Sequence, residues 1–180
     1  PNRTVRNFYR KRHGAVGLLI GPGAWLPDAT LAAISGAARR ADQMLVMEFG
    51  GDGHGTVPIF IEEDAVDALI VFGDISSEIE SRVRELKLPT VHVNTNRRGT
   101  PGTLTYDERG GMSLAVGHLK ARGCSHLGFI TEPVAGAGHY SVSERYEGFK
   151  EACRNNGLGD VALLDLDHPW VCRLNEGGGA

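Results

Sequence analysis

Cysteine is scarce in this chain, aromatic side chains make up only 7% of it, and the net charge is just −3. Each shortage removes a class of protein. The three cysteines, Cys124, Cys153 and Cys172, are odd in number, widely spaced and never set as C-x-x-C, so neither a disulfide framework nor a zinc site is signalled. They read as reduced, mostly buried thiols. No apolar run is long enough to span a bilayer, and the basic start is not followed by the apolar segment of an export signal. The expectation is a cytoplasmic protein with no membrane partner. Beyond the first dozen residues the charges are mixed in sign, which argues against a nucleic-acid surface over the body of the domain. What remains, at 180 residues, 41% hydrophobic and 23% charged, is an ordinary folded chain with one good core or two small lobes.

From Gly14 onward, short apolar runs alternate with amphipathic stretches, the sequence sign of β-α-β units and a parallel sheet. AVGLLI (15–20), MLVMEF (44–49), DALIVF (67–72) and TVHVN (90–94) read as strands. Between the first two, Leu31, Ile34, Ala38, Ala41 and Leu45 recur at helical spacing. IFIEEDAV reads as a short helix. SSEIESRVRELK has Ser77 and Glu80 at capping-box spacing, with Ile79, Val83 and Leu86 on one face.

After the polar stretch TNRRGTPGTLT the rhythm restarts, which places a lobe boundary at Tyr106 and Asp107. MSLAVGHLKARG is expected to bury Met112, Ala115, Val116 and Leu119 and to stop at Gly123. HLGFI is a strand. SVSERYEGFKEACRNNG has Ser141 and Glu144 at capping-box spacing and Gly157 as its stop, and VALLDL is another strand. The tail DHPWVCRLNEGGGA has no convincing helix, so the second lobe reads as incomplete.

Ligands of open parallel sheets sit beyond the carboxyl ends of the strands, where loops diverge and helix N-termini are exposed. That rule selects Pro22 to Trp25, Gly73 and Asp74, Asn94 to Arg97, Thr131 and Glu132, Ser141 to Arg145, and Trp170. Aromatic rings, amides, a carboxylate and an arginine suit a polyhydroxylated ligand: rings cover C–H faces while fork donors and carboxylates pair with hydroxyls. Taken singly, each of these polar loop residues is more often merely solvated, and only their convergence makes the case. Other chemistries are weaker. GPGAWL lacks the third glycine of a dinucleotide fingerprint, and no Walker loop occurs. Asp52 and His54 in GGDGHG fall short of a metal ligand set and fit a solvated turn. His118 reads as a packing histidine. No nucleophile and base pair can be assembled, so no enzyme, cofactor or metal is expected.

Three stretches carry a resemblance to the lactose-repressor type (LacI/GalR) of bacterial transcription regulators. VDALIVFG with LPTVHVNT resembles the family's third and fourth strands; TYDERGGMSLAVGHLKARGCSHLGFI resembles its crossing into the second lobe; SVSERYEGFKEACRNNGL resembles its Ser-x-x-x-Arg-x-x-Gly-Phe helix. PNRTVRNF at the start is similar to the family's hinge pattern Pro-Asn-x-x-Ala-Arg-x-Leu, with Val5 in place of alanine and Phe8 in place of leucine. The likeness runs from Pro1 to about Trp170.

This resemblance implies an α/β, periplasmic-binding-protein-like fold: two lobes, each a parallel β-sheet flanked by helices, the second apparently incomplete. Residues 1–13 would be the hinge segment after a missing helix-turn-helix, 14–106 the N-terminal lobe, and 107–180 a partial C-terminal lobe. The implied function is a ligand-responsive DNA-binding regulator, a repressor acting through allostery, of which this chain is the effector-binding and dimerisation core. Implied partners are a small sugar or related metabolite, operator DNA and a second copy of the chain. The implied effector contacts are Trp25, Asp74, Asn94, Tyr106, Ser141, Arg145 and Trp170. The implied hinge contacts are Asn2, Arg3, Arg6 and Phe8, with Phe8 as an apolar wedge between base steps. A periplasmic sugar-binding protein of a transport system is the alternative reading.

Overall fold

A computed structural model describes residues 13–50, 56–131 and 138–159, and the backbone of 162–165. Hinge residues Asn2, Arg3, Arg6 and Phe8, the loop residues Asp52 and His54, Glu132, Trp170 and Cys172 lie outside the described residues. The chain divides into two compact units, Pro1–Thr105 and Tyr106–Ala180.

The first unit runs β1 (Ala15–Ile20), α1 (Asp28–Arg40), β2 (Met44–Phe49), α2 (Ile59–Glu62), β3 (Ala68–Phe72), α3 (Ser77–Glu85), β4 (Thr90–Val93) and β5 (Thr103–Leu104). Its sheet has the order β2-β1-β3-β4-β5 with every neighbouring pair parallel. Register assigns the two faces. Ala15, Leu19, Leu69 and Val71 lie on one, where they join Phe60 and Ile61 of α2 and Ile79 and Val83 of α3 in the main core. Gly17 shares that face because a Cβ there would stand 2.8 Å from the Phe60 ring. Val16, Leu18, Ile20, Ile70 and Phe72 lie on the other face, over which α1 lays Ile34 and Ala38. Being apolar on both faces is what makes β1 and β3 read as unbroken hydrophobic runs.

The start of β1 is clamped. The Asp67 carboxylate accepts from the His13 amide at 2.9 Å and the Gly14 amide at 2.7 Å. Burial alone would raise its pKa, but the backbone N–H donors of residues 13–15 and the nearby His13 outweigh that and hold it below the usual carboxylate range. A carboxylate so depressed contributes stability above the unfolded value of about 3.9 and loses it as pH falls through the lower folded value.

Several expectations need correction. The first helix stops at Arg40, so Leu45 belongs to β2 and Ala41 is exposed; Asp42 takes a left-handed φ of 56° and ends the helix. Ser76, not Ser77, caps α3, its Oγ accepting from the Ile79 amide at 3.3 Å. The polar stretch after β4 contains the unforeseen β5, bound where the His92 amide donates to Gly102 O and the Asn94 amide to Leu104 O.

The second unit comprises α4 (Glu108–Ala121), β6 (Gly128–Thr131), α5 (Tyr140–Asn155) and β7 (Ala162–Asp165), with β6 and β7 parallel. Gly123 and Gly157 follow α4 and α5 with φ of 88° and 65°, the left-handed stops that glycine supplies without strain. Val116 meets Phe149, Ala152 and Cys153 between the helices, and Met112 and Phe129 pack against them. The helices approach closely because residue 148 is glycine: a Cβ there would stand 2.9 Å from Arg109 Cα. Cys153 is buried, and burial pushes its thiol pKa up; Cys124 is half-buried, and neither is in a disulfide. Other predicted core positions on α4 differ. Ala115 is exposed, Leu119 is 39% exposed, and His118 is exposed rather than packed. α4 meets α5 along one stripe, and those residues face away from it. The N-cap of α5 is His139, whose Nδ1 accepts from the Ser141 amide, while Glu144 turns to Arg109 at 2.7 Å instead of closing a capping box.

Candidate functional site

In the first unit the carboxyl ends of β1, β3 and β4 meet at one edge. The Gly21 amide donates to Phe72 O at 2.8 Å and the Gly73 amide to Val93 O at 2.9 Å, so the ladder continues one residue past each strand before the loops part. Gly21 admits no side chain, because a Cβ would collide with the Asp74 carbonyl oxygen. Gly73 has φ of 84°, and its own Cβ would meet Ala24 at 2.6 Å. These close approaches draw the Pro22–Trp25 loop against the end of β3 and leave the Trp25 ring 78% exposed.

Asp74 is engaged within this edge. Its carboxylate accepts from Thr95 Oγ1 at 2.6 Å, from the Asn96 amide at 2.9 Å and from Asn96 Nδ2 at 2.8 Å. Thr95 is 1% exposed, so its hydroxyl hydrogen depends on this acceptor, while its oxygen also accepts from the Arg97 amide at 3.4 Å. Asn94 holds a left-handed φ of 53° just ahead of it, a conformation Asn tolerates better than most residues. Asp74 thus fixes the loop that carries Asn94. Asp74→Ala is expected to cost about 2 kcal/mol, read from urea denaturation, because it strips three bonds and leaves a buried hydroxyl hydrogen without its acceptor. A loss within experimental error would mean the loop holds without it.

Arg97 leaves the edge and pairs with Glu80 of α3 at 2.6 Å. It helps line a cavity of about 310 Å³ between α3 and β4, together with Val83, Leu88 and His92. Burial and then the neighbouring Arg97 depress the pKa of His92. Its Nδ1 is buried with no hydrogen-bond partner. This cavity belongs to the seam between helix and sheet and is lined mainly by α3 and the segment that joins it to β4, with Ile75 and Arg97 from the loops.

In the second unit the chemistry gathers at the starts of α4 and α5. Each helix adjoins β6 in sequence, α4 leading into it and α5 following it, so both N-termini belong to the carboxyl end of that strand. Asp107 caps α4, its Oδ1 accepting from the Gly110 amide at 2.9 Å. Tyr106 is 48% exposed, and its amide donates to the Tyr140 hydroxyl at 3.1 Å. Ser141 is 7% exposed, with Oγ 2.8 Å from His139 Nδ1. Arg145 sits one turn into α5 and is gripped by Glu108: Nε donates to Oε2 at 2.6 Å and an NH2 hydrogen to Oε1 at 2.9 Å. That fork raises the pKa of the guanidinium further, against the opposing effect of burial.

Trp25, Asp74 and Asn94 therefore fall on one edge of the first unit, and Tyr106, Ser141 and Arg145 at one end of the second. Sequence reasoning missed Glu108, His139 and Tyr140, and although the strand-end rule covered Thr95 it did not foresee its bond to Asp74. Glu108 was open to discovery, since an acidic residue in the first turn of a helix stands near the helix starts that the strand-end rule selects. Among the described residues no cluster of His, Cys, Asp and Glu could hold a metal ion, and no helix is long and apolar enough to cross a membrane.

No protein-family profile matches the sequence, and no curated protein matches it. Solved structures do match by shape. A regulatory protein of the LacI family from Chloroflexus aggregans superposes with a TM-score of 0.67 at 17% identity, over 85% of this chain and 58% of that one. The lac repressor dimer bound to operator and the anti-inducer ONPF gives 0.65 at 18% identity, over 98% of this chain and 66% of that one. A periplasmic binding protein/LacI transcriptional regulator from Alkaliphilus metalliredigens, complexed with D-xylulofuranose, gives 0.60 at 18% identity, over 91% and 60%. The fold is thus α/β and periplasmic-binding-protein-like, the architecture seen in these LacI-family structures. This chain spans about 60% of the length of these structures.

Proposed function

We propose that the chain is the effector-binding core of a ligand-responsive, DNA-binding transcription regulator of the LacI/GalR type, a non-enzymatic repressor that works as a homodimer. The observation that carries this reading is the likeness of fold to the operator-bound lac repressor across nearly the whole chain. PNRTVRNF supports it further, because a basic segment beginning Pro-Asn ahead of β1 suits a hinge and not an exported binding protein. The effector is a neutral sugar or related polyol. Trp25, Asn94, Tyr106, Ser141, Arg145 and Trp170 are its contacts, and Asp74 acts by holding Asn94 in place.

Sugar shifts the regulator between two states only by its difference in affinity for them. Paired hinges place Arg3 and Arg6 against phosphates and Phe8 in the minor groove, with Asn2 beside them. A two-fold dimer then reads a palindromic operator.

Calorimetry against a panel of pentoses and hexoses tests the effector site. Arg145→Ala is expected to weaken the best ligand about 100-fold, since a hydrogen bond from a charged donor is worth roughly 1.5–3 kcal/mol. An unchanged affinity would remove Arg145 from the site. For DNA, fluorescence anisotropy of the full-length gene product on the region upstream of its own gene should show sugar changing DNA affinity. By linkage, DNA must change sugar affinity by the same factor. Independence of the two ligands would exclude the regulator.

A further inference from the structure

We infer that Glu108 sets the charge selectivity of the effector site: by occupying Arg145 it makes that site a receptor for uncharged hydroxyl groups and closes it to carboxylates and phosphates. This rests on the proposed role of Arg145 as an effector contact and goes beyond it by naming the residue that decides the charge class of the ligand.

Without Glu108 the starts of α4 and α5 would attract anions. Two helix N-termini carry partial positive charge there, and Arg145 would add a full one. Glu108 cancels it in the strongest available geometry, two parallel bonds of 2.6 and 2.9 Å between fork and carboxylate. The carboxylate side chain is 10% exposed and the guanidinium 47% exposed, so the anion forms the floor of the pair and the cation its open side. Nearby charges are also matched. Arg109 is bound by Glu144 at 2.7 Å and Glu151 at 3.2 Å, and Asp107 is committed to the Gly110 amide. Tyr140 and Ser141 add neutral hydroxyls.

An anionic ligand faces two unfavourable routes. To take the fork it must evict Glu108 and leave a nearly buried carboxylate without its partner, which is the costly way to break an ion pair. To bind beside the pair it finds, in the neighbouring Arg109, a cation already taken by Glu144 and Glu151. A polyol meets neither obstacle. Its hydroxyl oxygens accept from guanidinium N–H groups not used by Glu108, while its hydroxyl hydrogens donate to spare lone pairs of the same carboxylate. Adjacent donor and acceptor, fixed to each other, match the two roles of a hydroxyl group.

Two measurements on the whole chain test this. In the first, calorimetry compares D-glucose, D-galactose, D-ribose and D-xylose with D-glucuronate, D-galacturonate and the corresponding sugar phosphates. The unsubstituted chain is expected to favour the neutral member of its best pair by about 10-fold or more, and Glu108→Gln to reduce that ratio at least 10-fold, one power of ten being about 1.4 kcal/mol. A preference for the anionic member, or a ratio untouched by the substitution, overturns the inference. The second needs no effector. Inorganic phosphate is titrated while the Arg145 Nε–H signal is followed by NMR: it should stay unmoved in the parent chain and shift in Glu108→Gln, with added sodium chloride as the ionic-strength control. No shift in the variant overturns the inference whatever the sugars do. If no sugar binds either chain but phosphate reaches Arg145 only in the variant, the polyol reading of the site falls while the gate stands. Should Glu108→Gln fail to fold, the neutral-to-anionic ratio of the unsubstituted chain still decides.

Discussion

Alanine at Gly21 is expected to destabilise the first unit by about 3 kcal/mol, at the upper end of what overpacking costs. The glycine lies just past β1, its amide bound to Phe72 O, and a methyl group there would overlap the Asp74 carbonyl oxygen. The obstacle is backbone on both sides. No rotamer change can relieve it, so either the β1–β3 ladder opens at its carboxyl end or the Asp74 loop is pushed outward. The second outcome also disturbs the Thr95 and Asn96 bonds, and with them the placement of Asn94. Urea denaturation followed by far-UV circular dichroism measures the cost, and a loss below about 1 kcal/mol would show that the loop yields freely.

Truncating Phe72 to alanine is expected to cost more, about 4 kcal/mol. The ring is 1% exposed and lies on the α1 face of the sheet, in register with Ile20 on β1 and Val93 on β4. Its removal takes away a large apolar surface and leaves a cavity that strands paired on both sides cannot close. Hydrogen exchange of the β1, β3 and β4 amides should accelerate together, since opening here is opening of the sheet. Acceleration confined to β4 would place the ring outside the core that holds the three strands together.

The four longer strands of the first unit were legible because apolar runs bounded by glycine, proline and acidic residues leave few alternatives over so short a length. β5 was not, since two residues, Thr103 and Leu104, in a polar stretch have no period to read and are strand only because β4 lies beside them. Caps failed in an instructive way. Ser76 and Ser77 are adjacent, so capping spacing fits either, and only the turn of the backbone chooses Ser76. His139 caps α5 through a ring nitrogen, which propensities for oxygen acceptors do not foresee. The apolar stripe of α4 showed a helix but could not show which of its residues a second helix would cover.

The site divides along the same line. The strand-end rule reached Asp74, Asn94, Ser141 and Arg145 from the sequence, because it needs only the order of elements. It could not pair them with their partners, even where, as with Thr95, it reached the partner itself. Thr95 stands 21 residues from Asp74 and Glu108 stands 37 from Arg145, and which side chain meets which depends on the approach of separate elements. The roles changed accordingly: Asp74 is spent on its own loop, and Arg145 comes already matched to a carboxylate.

The clamp at the start of β1 has a mechanical meaning. Two amides of the entering chain, at His13 and Gly14, are tied to one carboxylate on the residue that leads into β3. A pull on His13 or Gly14 is therefore shared by two adjacent paired strands, β1 and β3, and is not taken up by β1 alone. The anchor point is known to the residue: with both amides held by Asp67, a shift of the sheet at this end is a shift of His13 and Gly14.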